Sequence, residues 1–322
     1  MSTVSFFTLV QDEVTLVEER MRAQTSPEHH PDLRVALEHL LSAGGKRIRP
    51  TIVFLTGKML GAPQDKLVTL GASVEMLHTA TLVHDDLIDG SLLRRGMPTL
   101  NARWSPAATV LTGDFLFSRA AKLAAETDYL PLMKLFADTL STIVNGELTQ
   151  LFAARGVIDR NNYYRRIYAK TASLFEMSAL AAAMICTEDE ATRSAVKTYG
   201  YESGMAFQIM DDVLDFTGEQ ATVGKPVGSD LLQGLVTLPA IYYAEEFPDN
   251  PDVKLLAEGG WGNQERMDRL VQAIRNTQSI SKAILEARSH IDKGLDAMIG
   301  FPASPERDAL EELANYIIDR NV

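Results

Sequence analysis

His78-Thr-Ala-Thr-Leu-Val-His-Asp-Asp-Leu-Ile-Asp-Gly-Ser-Leu-Leu-Arg-Arg-Gly-Met-Pro-Thr99 runs an apolar helical pattern into the acids Asp85, Asp86 and Asp89, then into the arginines Arg94 and Arg95. On a helix, Asp85 and Asp89 lie one turn apart on one face, with Asp86 about 100° round. Carboxylates placed so close repel unless a cation lies between them. Mg²⁺, a hard cation that keeps open positions for phosphate oxygens, suits such a set. Further on, Asp211-Asp-Val-Leu-Asp215 repeats the spacing, with Asp212 as its middle acid. Two such clusters suggest two walls of one anion-holding cavity.

The helix that carries the first cluster reads from Lys66 to Asp89 and is apolar on most faces, so it is expected to be buried. Acids at its C-terminal end oppose both the helix dipole and the cost of desolvation. Bound cations would compensate. Other helical patterns cover about 5–24, 104–125, 129–153, 160–186 and 188–215, and more follow from Asp230 to Arg320. No alternating strands and no solenoid repeat are evident. An all-α fold of about a dozen helices follows, a single large bundle around a central cavity. With no linker or shift in composition, residues 1–322 are expected to form one domain.

The formal charge of −12 argues against nucleic acid as a partner. It does not exclude an anionic substrate, because bound cations reverse the local field. The single cysteine, Cys186, excludes a disulfide within the chain and suits a reducing, cytoplasmic setting as a small core residue. The N-terminus has no signal-peptide pattern, and no apolar run approaches the ~20 residues that span a bilayer, so no transmembrane segment is expected.

Several further residues are ambiguous alone. Gly44-Gly-Lys46-Arg-Ile-Arg49-Pro50 reads either as a basic surface turn or as a diphosphate cradle. Lys170-Thr171 could be a snorkelling lysine beside a threonine bonded to its own helix. Gln208 lies three residues before Asp211, on nearly the same face, as a core amide or a lining group. Lys225 could be a plain loop lysine, and His78 a hydrogen-bonded core histidine.

Together, Gly44–Pro50, Asp85-Asp-x-x-Asp89 with Arg94-Arg95, Lys170-Thr171, Gln208-x-x-Asp211-Asp-x-x-Asp215 and Gly224-Lys-x-x-Gly-x-Asp230 resemble the trans-isoprenyl (polyprenyl) diphosphate synthase family, in its order and over nearly the whole chain. The resemblance implies an isoprenoid-synthase fold and a homodimer. It implies condensation of isopentenyl diphosphate with an allylic diphosphate, head to tail, with diphosphate leaving. Asp85, Asp89 and Asp211, helped by Asp86 and Asp215, would hold three Mg²⁺ ions on the allylic diphosphate; Asp212 belongs to the same catalytic set. Arg94, Lys170 and Lys225 would bind that diphosphate too. Lys46, Arg49, His78 and Arg95 would hold isopentenyl diphosphate. Thr171 and Gln208 would line the reacting end, with Phe207 as a nearby aromatic face.

In this family, bulky aromatics at the fourth and fifth residues before the first acid stop the product early. Here those positions are Thr81 and Ala80, so Leu77 and Val74 become the next candidates and a product of roughly six to ten isoprene units is expected in an apolar tunnel. One departure is Leu235, where the family often carries lysine after Asp230; a lost phosphate contact should weaken binding without abolishing activity. The alternatives are a shorter-chain farnesyl or geranylgeranyl synthase and a catalytically weak partner subunit of a two-component synthase. A related cyclase is disfavoured because it has only one diphosphate to hold.

Overall fold

The structure, a computed structural model, describes residues 6–153, 155–217 and 227–320. These are almost wholly helical, as the apolar periodicity predicts. The chain divides into two compact units, residues 1–138, 177–196 and 301–310 in one, 139–176, 197–300 and 311–322 in the other.

The first unit is organised on α5, Gln64–Ile88, which packs against α2 (Gln11–Arg22), α4 (Ile48–Met59) and α7 (Pro106–Ala125). Its apolar sequence is explained by that surround: Leu67, Leu70, Val74, Met76, Leu77 and Ala80 are fully buried. Close packing needs small residues at crossings. A Cβ on Gly57 of α4 would lie 2.3 Å from Leu67, and one on Gly113 of α7 would lie 2.1 Å from the His84 ring. Pro106 opens α7 and Ser105 caps it by accepting a hydrogen bond from the Ala108 N–H.

The helix expected over 5–24 is two, α1 (Phe6–Leu9) and α2, and the remaining helix of this part is α3, Pro31–Ser42. Short pieces of this kind, with α6 (Leu100–Arg103), add to the expected dozen. A two-residue hairpin, β1 (Leu93–Arg94) and β2 (Met97–Pro98), is the one place among the described residues where the all-helix reading missed a strand pair. Its turn, Arg95-Gly96, has positive φ at both residues (53° and 76°), the signature of a tight hairpin turn.

The second unit takes its site from a run read as one helix over 160–186. It is instead α9 (Arg160–Ile167), a π-helical turn over Tyr168–Ala172, and α10 (Ser173–Met184). Preceding it is α8, Leu130–Ala153; following it is α11, Glu190–Thr217. Two glycines clasp the π-turn. A Cβ on Gly146 of α8 would lie 2.4 Å from Ala169, and one on Gly204 of α11 would lie 2.6 Å from the Ala172 backbone. The rest is α12 (Ser229–Leu232), α13 (Leu238–Glu246), α14 (Pro251–Ala257), α15 (Gln264–Arg275), α16 (Ser279–Ala297) and α17 (Pro305–Asp319). Helix α13 packs on α16 and α9.

Candidate active site

The first acid cluster sits on the last turn of α5. Gly90, in the left-handed region at φ 63°, ends the helix, and the Ser91 N–H closes back on the Asp86 carbonyl at 2.8 Å. Asp85 is half-buried, Asp89 is exposed and Asp86 is buried. The buried carboxylate is paired: Arg94, on the hairpin, donates through Nε to both oxygens at 3.0 Å and sets Nη2 2.8 Å from Oδ1. Asp86 is therefore held by an internal cation, a pairing that spacing along the chain could not show.

Beside this cluster in the same unit lies a cleft lined by Arg47, Glu75, His78, Asp86, Arg94 and Arg95, among others. Neither Lys46 nor Arg49 lines it; Lys46 is exposed in the turn before α4 and Arg49 is half-buried on α4. Arg47, which the sequence reading passed over, is buried in left-handed backbone (φ 47°). It donates to Glu18 at 2.9 Å, to Glu75 at 2.9 Å and to the Leu41 carbonyl at 3.4 Å. Burial alone would lower its pKa, but Glu75 and Glu18 outweigh that and raise it. Arg47 thus ties α2, α3 and α5 together, and the one signal for it in the sequence was Glu75, an acid in the otherwise apolar run of α5. Arg95 donates to the Gly44 carbonyl, and a Cβ on Gly45 would lie 2.5 Å from the same guanidinium. Gly45 is needed for that approach. Burial and the neighbouring Arg47 lower the Arg95 pKa.

His78 is held neutral. Burial, then Arg49, Arg95, Arg94 and Arg47, push its pKa well below the usual 6.5. Under acid the folded chain then binds fewer protons than the unfolded chain. The stability His78 contributes is complete above the ordinary value and drains away as pH falls below it. Denaturant unfolding should show wild type losing more stability than His78→Gln as pH falls from about 7.5 to about 5.5. Parallel curves for the two proteins would refute a neutral His78.

The second unit brings together Lys170, Thr171, Gln208, Asp211, Asp212 and Asp215. The π-turn presents Lys170 and Thr171. Lys170 is 3.7 Å from Glu147, and Thr171 donates not to its own helix but to Gln208 Oε1 at 2.6 Å. Gln208 Nε2 donates to Asp212 Oδ1 at 2.8 Å, and the Tyr163 hydroxyl donates to Asp212 Oδ2 at 2.8 Å. Burial, then the charge of Asp230, push Asp212 up to about 7, against those two hydrogen bonds and Arg166.

Asp211 is met by Arg320, which donates from Nη1 to Oδ1 at 2.9 Å and from Nη2 to the Phe207 carbonyl at 3.0 Å, and lies 3.9 Å over the Phe207 ring. The Phe207 ring is thus covered by Arg320. Sequence reasoning missed Arg320 because 109 residues separate it from Asp211. Asp215 receives the Ser229 hydroxyl at 2.9 Å, the Ser229 N–H at 3.2 Å and the Asp230 N–H at 3.3 Å, so it fixes the segment that carries Asp230. Lys225 lies outside the described residues, and Leu235 is half-buried.

Each unit carries its own hard oxygen donors, Asp85 and Asp89 in the first and Asp211 in the second. Among the described residues no three acids, imidazoles or thiols gather closely enough to hold an ion by themselves. Such a set suits a cation that completes its shell with phosphate oxygens and water, as Mg²⁺ does. Of the residues expected to gate product length, Val74, Leu77 and Ala80 are fully buried on α5, while Thr81 is half-buried with its hydroxyl on the His78 carbonyl at 2.8 Å.

The motif set and the helical scaffold find their match among known proteins. The polyprenyl synthetase family model matches residues 30–274. The chain belongs to the polyprenyl synthetase family. It is 35% identical to heptaprenyl diphosphate synthase component 2 of Geobacillus stearothermophilus, over 100% of both chains. It is 37% identical to octaprenyl diphosphate synthase of Haemophilus influenzae, over 88% of this chain and 87% of that one. A crystal structure of a polyprenyl synthase from Caulobacter crescentus CB15, complexed with calcium and isoprenyl diphosphate, superposes with TM-score 0.90 at 34% identity, over 98% of this chain and 97% of that one. This member of the family is therefore an all-α prenyltransferase. No helix among the described residues is long and apolar enough to cross a membrane.

Proposed function

We propose that this chain lengthens an allylic diphosphate by successive head-to-tail additions of isopentenyl diphosphate. Inorganic diphosphate leaves each time, and growth stops at roughly six to ten isoprene units. The carrying observation is a parallel between the two acid clusters. In each, the middle acid is buried and spent on internal bonds, Asp86 on Arg94 and Asp212 on Tyr163 and Gln208. The leading acids Asp85 and Asp211 are half-buried beside them. Asp85, Asp89 and Asp211, helped by Asp86 and Asp215, are the residues that would hold Mg²⁺, three ions in all. Bound there, the metal supplies Lewis-acid neutralisation of the leaving diphosphate.

Lys170 and Arg94 add cations for the allylic diphosphate, and Lys225 is assigned with them from the sequence pattern. Arg95, Arg49 and Lys46 bind isopentenyl diphosphate, with neutral His78 as a hydrogen-bonding partner. Thr171 and Gln208 line the reacting carbon. One protein domain carrying both clusters is part of the reading.

A cytoplasmic homodimer is proposed with it. Val144, Leu148, Leu151 and Phe152, on one stripe of α8, are 46% to 80% exposed, apolar surface that a second copy would cover. Cys186 suits a reducing compartment as an unreactive thiol: it donates to the Ala182 carbonyl, and burial pushes its pKa up to about 11.

A second reading has its own support, since one full-length relative is named as component 2 of a heptaprenyl synthase. This chain would then need a partner chain for turnover. Purified chain alone, given Mg²⁺, farnesyl diphosphate and isopentenyl diphosphate, should release diphosphate and form a long prenyl chain, and chelator should stop it. Turnover that starts only on adding a partner chain would favour the second reading. Turnover undiminished by chelator would sink the role given to the acids.

A further inference from the structure

The hydrogen bonds Thr171→Gln208→Asp212←Tyr163 form one continuous chain of side chains, at 2.6, 2.8 and 2.8 Å. It joins α9, the π-turn and α11 within the second unit. Tyr163, Asp212 and Thr171 are all buried, at 1%, 5% and 6% exposure. Each link has a direction. A phenol donates its single proton, and the Gln208 Nε2, a donor only, is the atom set against Asp212 Oδ1, so both Asp212 oxygens accept. With Tyr163 on one oxygen, Asp212 presents the other as an acceptor to Gln208. Gln208 must then turn its NH₂ toward Asp212 and its carbonyl oxygen toward Thr171. An amide without such a partner chooses between two flipped states of similar energy.

A buried tyrosine hydroxyl needs some partner, and a backbone carbonyl ordinarily serves. Here the partner is the middle acid of the second cluster, one helical turn from Gln208. Resting on the reading of Thr171 and Gln208 as the groups at the reacting end, we infer that Tyr163 is a positioning residue for chain elongation. Through Asp212 it holds the Gln208 amide in the single orientation whose carbonyl oxygen, the negative end of the dipole, is available to the developing allylic cation. Tyr163 itself touches no substrate in this scheme.

Tyr163→Phe removes one oxygen and keeps the ring. In the full chain, kcat is expected to fall about 10- to 100-fold, with KM for both diphosphates within about twofold, because the orientation matters only as positive charge develops. Joined to Gln208→Leu, Tyr163→Phe should cost nothing further, since the two act in series. Asp212→Asn gives a second route should Tyr163→Phe fail to fold. Because the buried Tyr163 hydroxyl still needs an acceptor, an amide at 212 turns its oxygen to Tyr163 and its NH₂ to Gln208, which forces the opposite flip, so the same kcat loss is expected. A folded Tyr163→Phe variant with a lowered melting temperature but unchanged kcat would overturn the inference, as would multiplicative losses in the double variant. A wild-type chain that never condenses its substrates would instead sink the elongation reading on which the inference rests.

Discussion

Asp85→Asn should lower kcat on the order of a thousandfold while leaving the melting temperature of metal-free protein equal or higher. A thousandfold corresponds to about 4 kcal/mol of transition-state stabilisation, the scale of a lost preorganised charge contact. The two halves of this expectation have one cause. Asp85 sits on the last turn of a 25-residue buried helix, at the end where the backbone dipole is negative, next to Asp86 and one turn from Asp89. Its charge opposes the helix dipole and the neighbouring acids, and asparagine removes that opposition. With a cation and a diphosphate, the same charge is the anchor. Asp86 is poorly placed to take over, because Arg94 covers both of its oxygens. Steady-state kinetics at saturating Mg²⁺, with a melting curve of chelated protein, checks both halves. Activity within tenfold of wild type would remove Asp85 from the metal site.

The second large effect concerns product length. Thr81→Phe should shorten the product by several isoprene units with little loss of the first condensation. Thr81 is one turn below Asp85 on its face of α5, about 6 Å along the axis, while Val74 is about 16 Å down. Because Thr81 is half-buried and its hydroxyl bonds only within the helix, a larger ring there meets less resistance than at its fully buried neighbours. Ala80→Phe, at a site with no exposure, must displace packed side chains and should carry a stability loss of about 1–3 kcal/mol along with any shortening. Chromatography of the dephosphorylated products distinguishes the outcomes. An unchanged distribution in both variants would mean that the growing chain follows another path.

What could be read in advance, and what could not, divides along a physical line. Buried α5 and its acids were legible because charge at the end of an apolar helix is an anomaly visible in one dimension. The Thr171–Gln208 pairing was suggested only by resemblance, and the bond itself appears once the π-turn is seen. That turn was hidden because the apolar period over 160–186 runs on almost unbroken, and the glycines that close on it, Gly146 and Gly204, are distant in sequence. Arg47 lay in a run of cations that looked ready for phosphate, yet its guanidinium is spent on Glu18 and Glu75. Arg320 and Tyr163 carry no local anomaly at all, and only folding brings them to the acids.

The π-turn sets a rule of arithmetic for this stretch. Tyr168–Ala172 accommodates one residue more than regular winding would, so the segment is a spacer of fixed count. Deleting Tyr168 or Ala169 would let the backbone relax into ordinary helix and turn the Lys170 ammonium and the Thr171 hydroxyl about 100° from their present bearings. Inserting one would do the same in the opposite sense. A gene can therefore change letters here more safely than it can change their number.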